Sequence, residues 1–374
     1  MYVSTSMRKL CIASALTATL AAFATDSITV LDKEDSGPVV GASAISAGGL
    51  IIGLTDSNGT IAADAKDYPL SFRSLGYEAT TISAPADTVF LSPASYSLRE
   101  VTVSSAGRPI TRVLTYAREY CTGATPADTL QLYNEYMLEY FFADGKVKGF
   151  HKSDNAATPL RIRRYGRISD SHGRDSVMRP RYDDDISALS FMQCMAFVPI
   201  EQKEETEAMR NGAASDTVHG KYSPQFVYRN SERLFTVDCD ALSDKKDHKW
   251  SPWFFKLVGL TMDMEKADWS LAYRRNETGK YGIYDFICGT YNLHVLARGK
   301  LFKKLAGVKD AIGIDCYIEQ YPVAVEHLTV DDYKEMRKDR LDRLEDFRIP
   351  DDVQPLPPAI EQLVDRIGRE LPRQ

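Results

Sequence analysis

Thr55-Asp56-Ser57-Asn58-Gly59-Thr60, Leu75-Gly76-Tyr77 and Leu98-Arg99-Glu100-Val101-Thr102-Val103 decide how the first part of this chain reads. Around them lie β-type runs at 28–31, 39–45, 50–52, 68–73, 79–83, 88–91 and 101–103, separated by turn residues. Short strands at such spacing predict an all-β sandwich over residues 25–105. Asn58-Gly59 predicts a hairpin, because both residues tolerate positive φ. Asp56-x-Asn58-Gly59 also opens like a calcium loop. The twelfth position is Asp67 rather than a glutamate, and the flanks read as strands, so a turn is favoured over a metal site.

The chain ahead of this stretch reads as a secretory leader, residues 1–24. Arg8 and Lys9 precede the uncharged run 10–21, and Ala22-Phe23-Ala24 fits a cut before Thr25. Met7 is an alternative start. Cys11 lies too early in the run to carry a lipid. No later segment reaches the ~18 apolar residues of a spanning helix, so none is expected in the mature chain. The leader is expected to carry the protein out of the cytoplasm. Of six cysteines, Cys121, Cys194, Cys239, Cys288 and Cys316 lie beyond it. Five is an odd number, and no Cys-x-x-Cys occurs, so pairing stays open and a zinc site is disfavoured.

The pieces Gly37-Pro38-Val39-Val40-Gly41-Ala42, Thr55-Asp56-x-Asn58-Gly59, Phe72-x-x-Leu75-Gly76-Tyr77 and Leu98-x-Glu100-Val101-x-Val103 together resemble the carboxypeptidase-regulatory-like (peptidase-associated) domain. The resemblance implies a transthyretin-like, immunoglobulin-like sandwich in an exported protein of the Gram-negative cell envelope. Such domains often precede a TonB-dependent plug and barrel. They carry no catalytic residues, so none is transferred.

Residues 106–328 read as an α+β domain. A short helix is expected over 110–120, with Val113, Leu114 and Ala117 on one side. Thr125-Pro126-Ala127-Asp128 looks like a capping box opening a second helix that carries Leu130, Tyr133, Met137 and Phe141. Tyr133, Tyr136, Tyr140 and Phe141 read as core rather than as a ligand stripe. Alternation predicts strands at 146–150 and 160–168, the latter with Arg161, Arg163 and Arg167 on a charged, exposed face. Residues 169–222 read as loops around a helix near 186–195, with Asp183, Asp184 and Asp185 solvated. From 225 to 325, strands follow strands, predicting an antiparallel meander with a turn at Asn276-Glu277-Thr278-Gly279. Trp250 and Trp253 stand in an aromatic run, 249–255. Core filling is favoured over a partner- or membrane-facing loop. Residues 329–374 form a charged helical tail. Thr329-Val330-Asp331-Asp332 caps one helix, and Ile360, Leu363, Val364, Ile367 and Leu371 line another.

Composition narrows the function classes. Hydrophobic residues make up 44%, enough for a core, and the net charge of -6 without a basic stripe disfavours nucleic acid. A zinc peptidase would need His-x-x-Glu, and none of His151, His172, His219, His248, His294 or His327 opens one. No Gly-x-Ser-x-Gly, P-loop or dinucleotide fingerprint occurs. No catalytic, cofactor-binding or metal-ligating residue can therefore be named, and no cofactor is expected. A full TonB-dependent transporter needs ~220 residues in strands alone, plus loops and a plug, a pattern that this chain, with helices expected at its end, does not show. Beyond residue 107 the order of elements is similar to uncharacterised envelope proteins with this first domain. It also resembles lipid-handling half-barrels, a likeness of fold alone. The leading expectation is a non-enzymatic binding or adaptor protein of the envelope, meeting an envelope protein or an apolar ligand. A hydrolase with a carboxylate pair and a lipid or lipoprotein carrier are the alternatives. The oligomeric state is open.

Overall fold

The structure is a computed structural model that describes residues 26–94, 107–125, 128–170, 172–178, 200, 202–219, 225–257, 259–300, 311–338, 346–351 and 353–371. The leader, the strand expected at 101–103, Asp183 to Asp185, the helix expected near 186–195 and Cys194 lie outside the described residues. The fold is mostly β, 51% strand against 14% helix, built on large antiparallel sheets with a helix at the C-terminal end.

Seven strands come first: β1 (Asp26–Asp32), β2 (Ser43–Ile45), β3 (Ile51–Leu54), β4 (Thr60–Ala63), β5 (Leu70–Arg73), β6 (Thr80–Ile82) and β7 (Thr88–Leu91). They make two small sheets, β4-β1-β7 and β3-β2-β5-β6. One core joins both sheets, with Ile28, Val30, Ala44, Leu70, Phe72 and Leu91 at its centre. Asp56 Oδ1 accepts from the amides of Asn58 at 2.9 Å and Thr60 at 2.8 Å, which holds the turn. That use of Asp56 is the ordinary turn role of an aspartate. The turn does not close a hairpin, however. β3 pairs with β2 and β4 pairs with β1, so it carries the chain from one sheet to the other.

A ten-stranded sheet follows, ordered β11-β10-β9-β8-β19-β18-β16-β15-β14-β13. Its members are β8 (Ile110–Ala124), β9 (Asp128–Ala143), β10 (Thr158–Asp170), β11 (Asp175–Met178), β13 (Ser215–His219), β14 (Gln225–Asn230), β15 (Leu234–Asp240), β16 (Thr261–Arg274), β18 (Phe286–Arg298) and β19 (Ile312–Leu328). The two-residue strands β12 (Lys203–Glu204) and β17 (Lys280–Tyr281) pair separately. All pairings within the ten-stranded sheet are antiparallel. The block from β14 to β19 is the expected meander, and Asn276 accepts from Thr278 and Gly279 at the expected turn; β11 and β13 fall in the stretch read as loops and are instead the two edge strands of the sheet. Four α-helices occur among the described residues: α1 (Glu207–Arg210), α2 (Trp253–Leu257), α3 (Val330–Lys338) and α4 (Pro358–Glu370).

Ile110–Ala124 and Asp128–Ala143 are strand where their spacing predicts helix. The two helices expected there are the long strands β8 and β9, paired from Ile110↔Ala143 to Ala124↔Thr129. The region expected to be α+β is accordingly β throughout its framework, with α-helix confined to the short α1 and α2 among its described residues. Nearly every residue of β8 is buried, whichever face it is on. A strand buried on both faces shows no period-2 alternation, so Val113, Leu114 and Ala117 imitate a helical stripe. The β-branched and aromatic content of Ile110, Thr111, Val113, Thr115, Tyr116 and Tyr120 is what favours the strand. Residues 146–150 form a turn rather than a strand, with Val147 and Phe150 packed towards α3.

Directly paired residues share a sheet face, and the two faces differ. One is mainly apolar: Val113, Tyr136, Tyr140, Ile318, Val237 and Leu271 belong to one buried cluster that also takes in Ile200 and Met209, with the buried Glu119 on this face accepting from Asn134 and Tyr136. The other carries charged and tyrosine rows. Tyr317, Tyr120, Tyr133 and Tyr165 lie side by side across four strands. Their ring centroids are 6.0, 5.4 and 5.6 Å apart in sequence along the row. Ile45 of β2 and Ile360, Leu363 and Ile367 of α4 cover this row. The C-terminal helix thus docks on the sheet beside the N-terminal strands, which reach the same row through Ile45.

The next row on that face, Glu319, Arg118, Glu135 and Arg163, alternates in charge across β19, β8, β9 and β10. Arg163 stands over the Phe347 ring at 3.8 Å and reaches Glu135 at 3.5 Å. Arg161 and Arg167 pair with Asp346 and Asp175. The arginine set expected on an open, charged face is therefore half-buried and held by carboxylates and Phe347.

Candidate binding site: the tryptophan edge and the carboxylate row

Residues 249–264 fold back on the start of β16. Trp250 and Met264 exchange backbone hydrogen bonds of 3.1 and 2.9 Å, an isolated antiparallel bridge. Ser251 Oγ donates to Asp263 Oδ1 at 2.6 Å, and Arg298 donates to Asp263 Oδ2 at 3.0 Å. The Ser251 hydrogen bond, with help from Lys249 and Arg298, holds the Asp263 carboxyl below its ordinary range. This pinned loop leads into α2. Trp250 is 39% exposed, Trp253 70% and Leu257 75%. Core filling, the expectation for these tryptophans, is not what the fold does with them. Trp269 takes the core position instead, on the apolar face.

Two cations flank this edge. Lys256 lies on α2 and is exposed, as is Lys300 just past β18. Gly299 brings that strand end against the turn after α2: a Cβ on Gly299 would collide with the carbonyl oxygen of Gly259. The result is an outward aromatic and aliphatic pair with lysines beside it. Tryptophan and lysine in that combination suit a water–lipid boundary, where the ring is half-solvated and the ammonium meets headgroups.

A second cluster lies on the polar face, along the part of the sheet that α4 and the N-terminal strands leave open. Asp240 and Asp268 face one another on β15 and β16. Asn292 continues their row, which then becomes the tyrosine row. His248 approaches Asp240 at 3.3 Å and Lys266 approaches Asp268 at 3.8 Å. In the neighbouring row His294 Nδ1 lies 2.7 Å from Asp315. Burial raises the Asp268 carboxyl pKa and lowers that of the Lys266 ammonium, while the hydrogen bond to Asp315 raises the His294 pKa. Among the described residues no group of three or more His, Cys, Asp or Glu could hold a metal ion.

Sequence reading picked out Trp250 and Trp253 but missed the Asp240–Asp268 facing pair, Lys266, the His294–Asp315 pair and Lys300. Each depends on strand register, which joins positions far apart in sequence. Tyr133, Tyr136, Tyr140 and Phe141 are buried core, as read. A small cavity of about 170 Å³, with Ser46, Ser71 and Gln362 in its lining, sits where α4 meets the N-terminal strands.

No protein-family model matches the chain, and no curated protein matches it. Among solved structures, one titled for lipid–protein interactions in lipovitellin shares 10% identity, with a TM-score of 0.28 over 60% of this chain. The chain spans 26% of that protein's length. Salmonella typhi OmpF in complex with daunomycin shares 6% identity over 59% of this chain and 99% of that one, with a TM-score of 0.13. Scores this low carry no argument about fold or ligand.

Proposed function

We propose that this chain is an exported, non-enzymatic binding protein of the cell envelope, in which a regulatory-like β-sandwich (residues 26–94) is seated on a broad antiparallel sheet. The sandwich acts as an adaptor. The sheet presents the tryptophan edge to an anionic lipid surface. One observation carries the reading: Trp253 and Leu257 are exposed on α2, in a stretch whose ends the Trp250–Met264 bridge ties together, with Lys256 and Lys300 beside them. Export follows from the leader in the sequence, and the sandwich assignment from the turn and Leu-Gly-Tyr pieces together with the two sheets of residues 26–94.

Burying Leu257, and Trp253 alike, contributes about 2 kcal/mol each, and each lysine near an anionic surface about 1 kcal/mol. Titrating the protein with phosphatidylglycerol vesicles should shift tryptophan emission to the blue, with a weaker response to phosphatidylcholine. No shift with either lipid would contradict the reading.

Lipid carriage would need a continuous apolar cavity. The described residues of the apolar face pack against one another, with Phe235 and Tyr281 stacked at 4.1 Å. A carboxylate-pair hydrolase is the second reading, favoured by the facing of Asp240 and Asp268 and the raised pKa of the latter. Turnover of a glycan, ester or peptide that disappears in Asp268→Asn would support it.

A further inference from the structure

We propose that Cys121 and Cys316 are a redox pair, which a disulfide-bearing oxidant converts into a cross-strand disulfide fastening β8 to β19. The two residues are direct partners in the pairing of these strands. Their sulfurs stand 2.9 Å apart, well inside the ordinary separation of two unbonded sulfur atoms. Directly opposed residues of an antiparallel pair have Cα atoms about 4.5–5.5 Å apart, inside the range a disulfide spans. Both thiols therefore already face one another on one side of the sheet.

The other described cysteines do not compete. Cys288 faces Ala272, on the polar face of the sheet, whereas Cys121 and Cys316 share the apolar face. Cys239 is on the apolar face but on β15, three strands from β19, or about 14 Å at the usual strand spacing. Access is unequal within the pair. Cys121 is half-buried and Cys316 is buried, so an oxidant reaches Cys121 first. The hydrogen bond to Cys121, together with burial, raises the Cys316 pKa, which keeps that thiol protonated until its partner has reacted.

The chemistry balances with a disulfide such as oxidised glutathione. The Cys121 thiolate attacks one glutathione sulfur and the glutathione S–S bond breaks, giving a mixed disulfide and one glutathione thiolate. Cys316 gives its proton to that thiolate and attacks Cys121 Sγ, releasing the second glutathione. Two cysteine thiols are oxidised and one glutathione disulfide is reduced to two thiols. The new bond would close a loop between positions 195 residues apart. Cross-links over long loops restrict the unfolded chain most. They would also join the strand that follows the N-terminal sheets to the strand that precedes α3 and α4.

The test is peptide mapping by mass spectrometry of the purified protein, first reduced, then treated with oxidised glutathione and alkylated. The expected result is a Cys121–Cys316 linked peptide, two hydrogen atoms lighter than the sum of its parts and lost on reduction. Full alkylation of both thiols after oxidation, a stable glutathione adduct at Cys121, or linkage of either residue to Cys194, Cys239 or Cys288 would overturn the proposal. As a second readout, oxidation should raise the thermal midpoint of the protein by several degrees and leave that of Cys121→Ser unchanged. An equal rise in the variant would count against the pair.

Discussion

Arg73, the last residue of β5, meets Glu319, in the middle of β19, as an ion pair with the two side chains only 1% and 2% exposed. Arg73 Nη2 donates to Glu319 Oε2 at 3.0 Å and Nη1 donates to the Pro355 carbonyl at 2.6 Å. One guanidinium therefore ties the N-terminal strands, the large sheet and the segment leading into α4 together. Tyr120 lies beneath it, with the guanidinium carbon 5.6 Å from the ring centroid.

Removing one partner leaves the other buried without its counter-charge. Glu319→Gln should destabilise the protein by about 3–5 kcal/mol. The double variant Arg73→Met with Glu319→Leu should recover much of that, because a buried pair is often replaceable by apolar groups of similar volume. Urea unfolding of both variants checks this. Equal losses in the two would mean that the pair contributes beyond mutual neutralisation.

His294 makes stability depend on pH. Its pKa is raised above 6.5 chiefly by the hydrogen bond to Asp315. The folded state thus favours the protonated ring, and the contribution is complete below pH 6.5. It is lost as pH rises through the folded-state pKa. Thermal midpoints should fall over that window in the wild type, and the fall should be smaller in Asp315→Asn. NMR titration of His294 should show the raised pKa in the wild type and a lower one in the variant.

Gly299 should not tolerate a side chain. Its φ is +132°, and an added Cβ would run into the Gly259 carbonyl. Gly299→Ala should destabilise the protein by about 1–3 kcal/mol and weaken vesicle binding, because the strand end and α2 must move apart. Gly41→Ala is the control. Gly41 also has positive φ, +75°, but nothing lies within 4 Å of its added Cβ. Its cost should be limited to the conformational term, about 1 kcal/mol, with vesicle binding unchanged.

Ile367 anchors α4 over the tyrosine row and is fully buried. Ile367→Ala should cost about 2–5 kcal/mol, read as a lower urea midpoint. Val364, only partly buried beside it, should cost less on the same substitution.

What could be read from the sequence was whatever depends on near neighbours. The Thr329–Asp332 capping box forms as read, with the Asp332 amide donating to Thr329 Oγ1 at 3.1 Å and the Thr329 amide to Asp332 Oδ2 at 3.2 Å. The apolar stripe Ile360, Leu363 and Ile367 is the buried side of α4. Strands with one solvated face, such as β15 with its strict alternation of burial, were also legible. Residues 110–143 were not, because burial on both faces erases alternation. The charged rows were out of reach for a different reason. Arg118 lies opposite Glu319 only because β8 pairs with β19, at the far end of the chain. The tryptophan edge was visible as composition, but its exposure depends on the bridge to Met264.

Binding of the protein to anionic vesicles, measured by co-sedimentation with the double variant Trp253→Ala, Leu257→Ala alongside, tests the tryptophan edge most directly. The wild type should sediment with phosphatidylglycerol vesicles, less so as salt screens the lysines, and the variant should bind at least about tenfold more weakly while keeping its thermal midpoint. Equal binding by the two proteins, or no binding by either, would contradict the assignment of this edge as the contact surface.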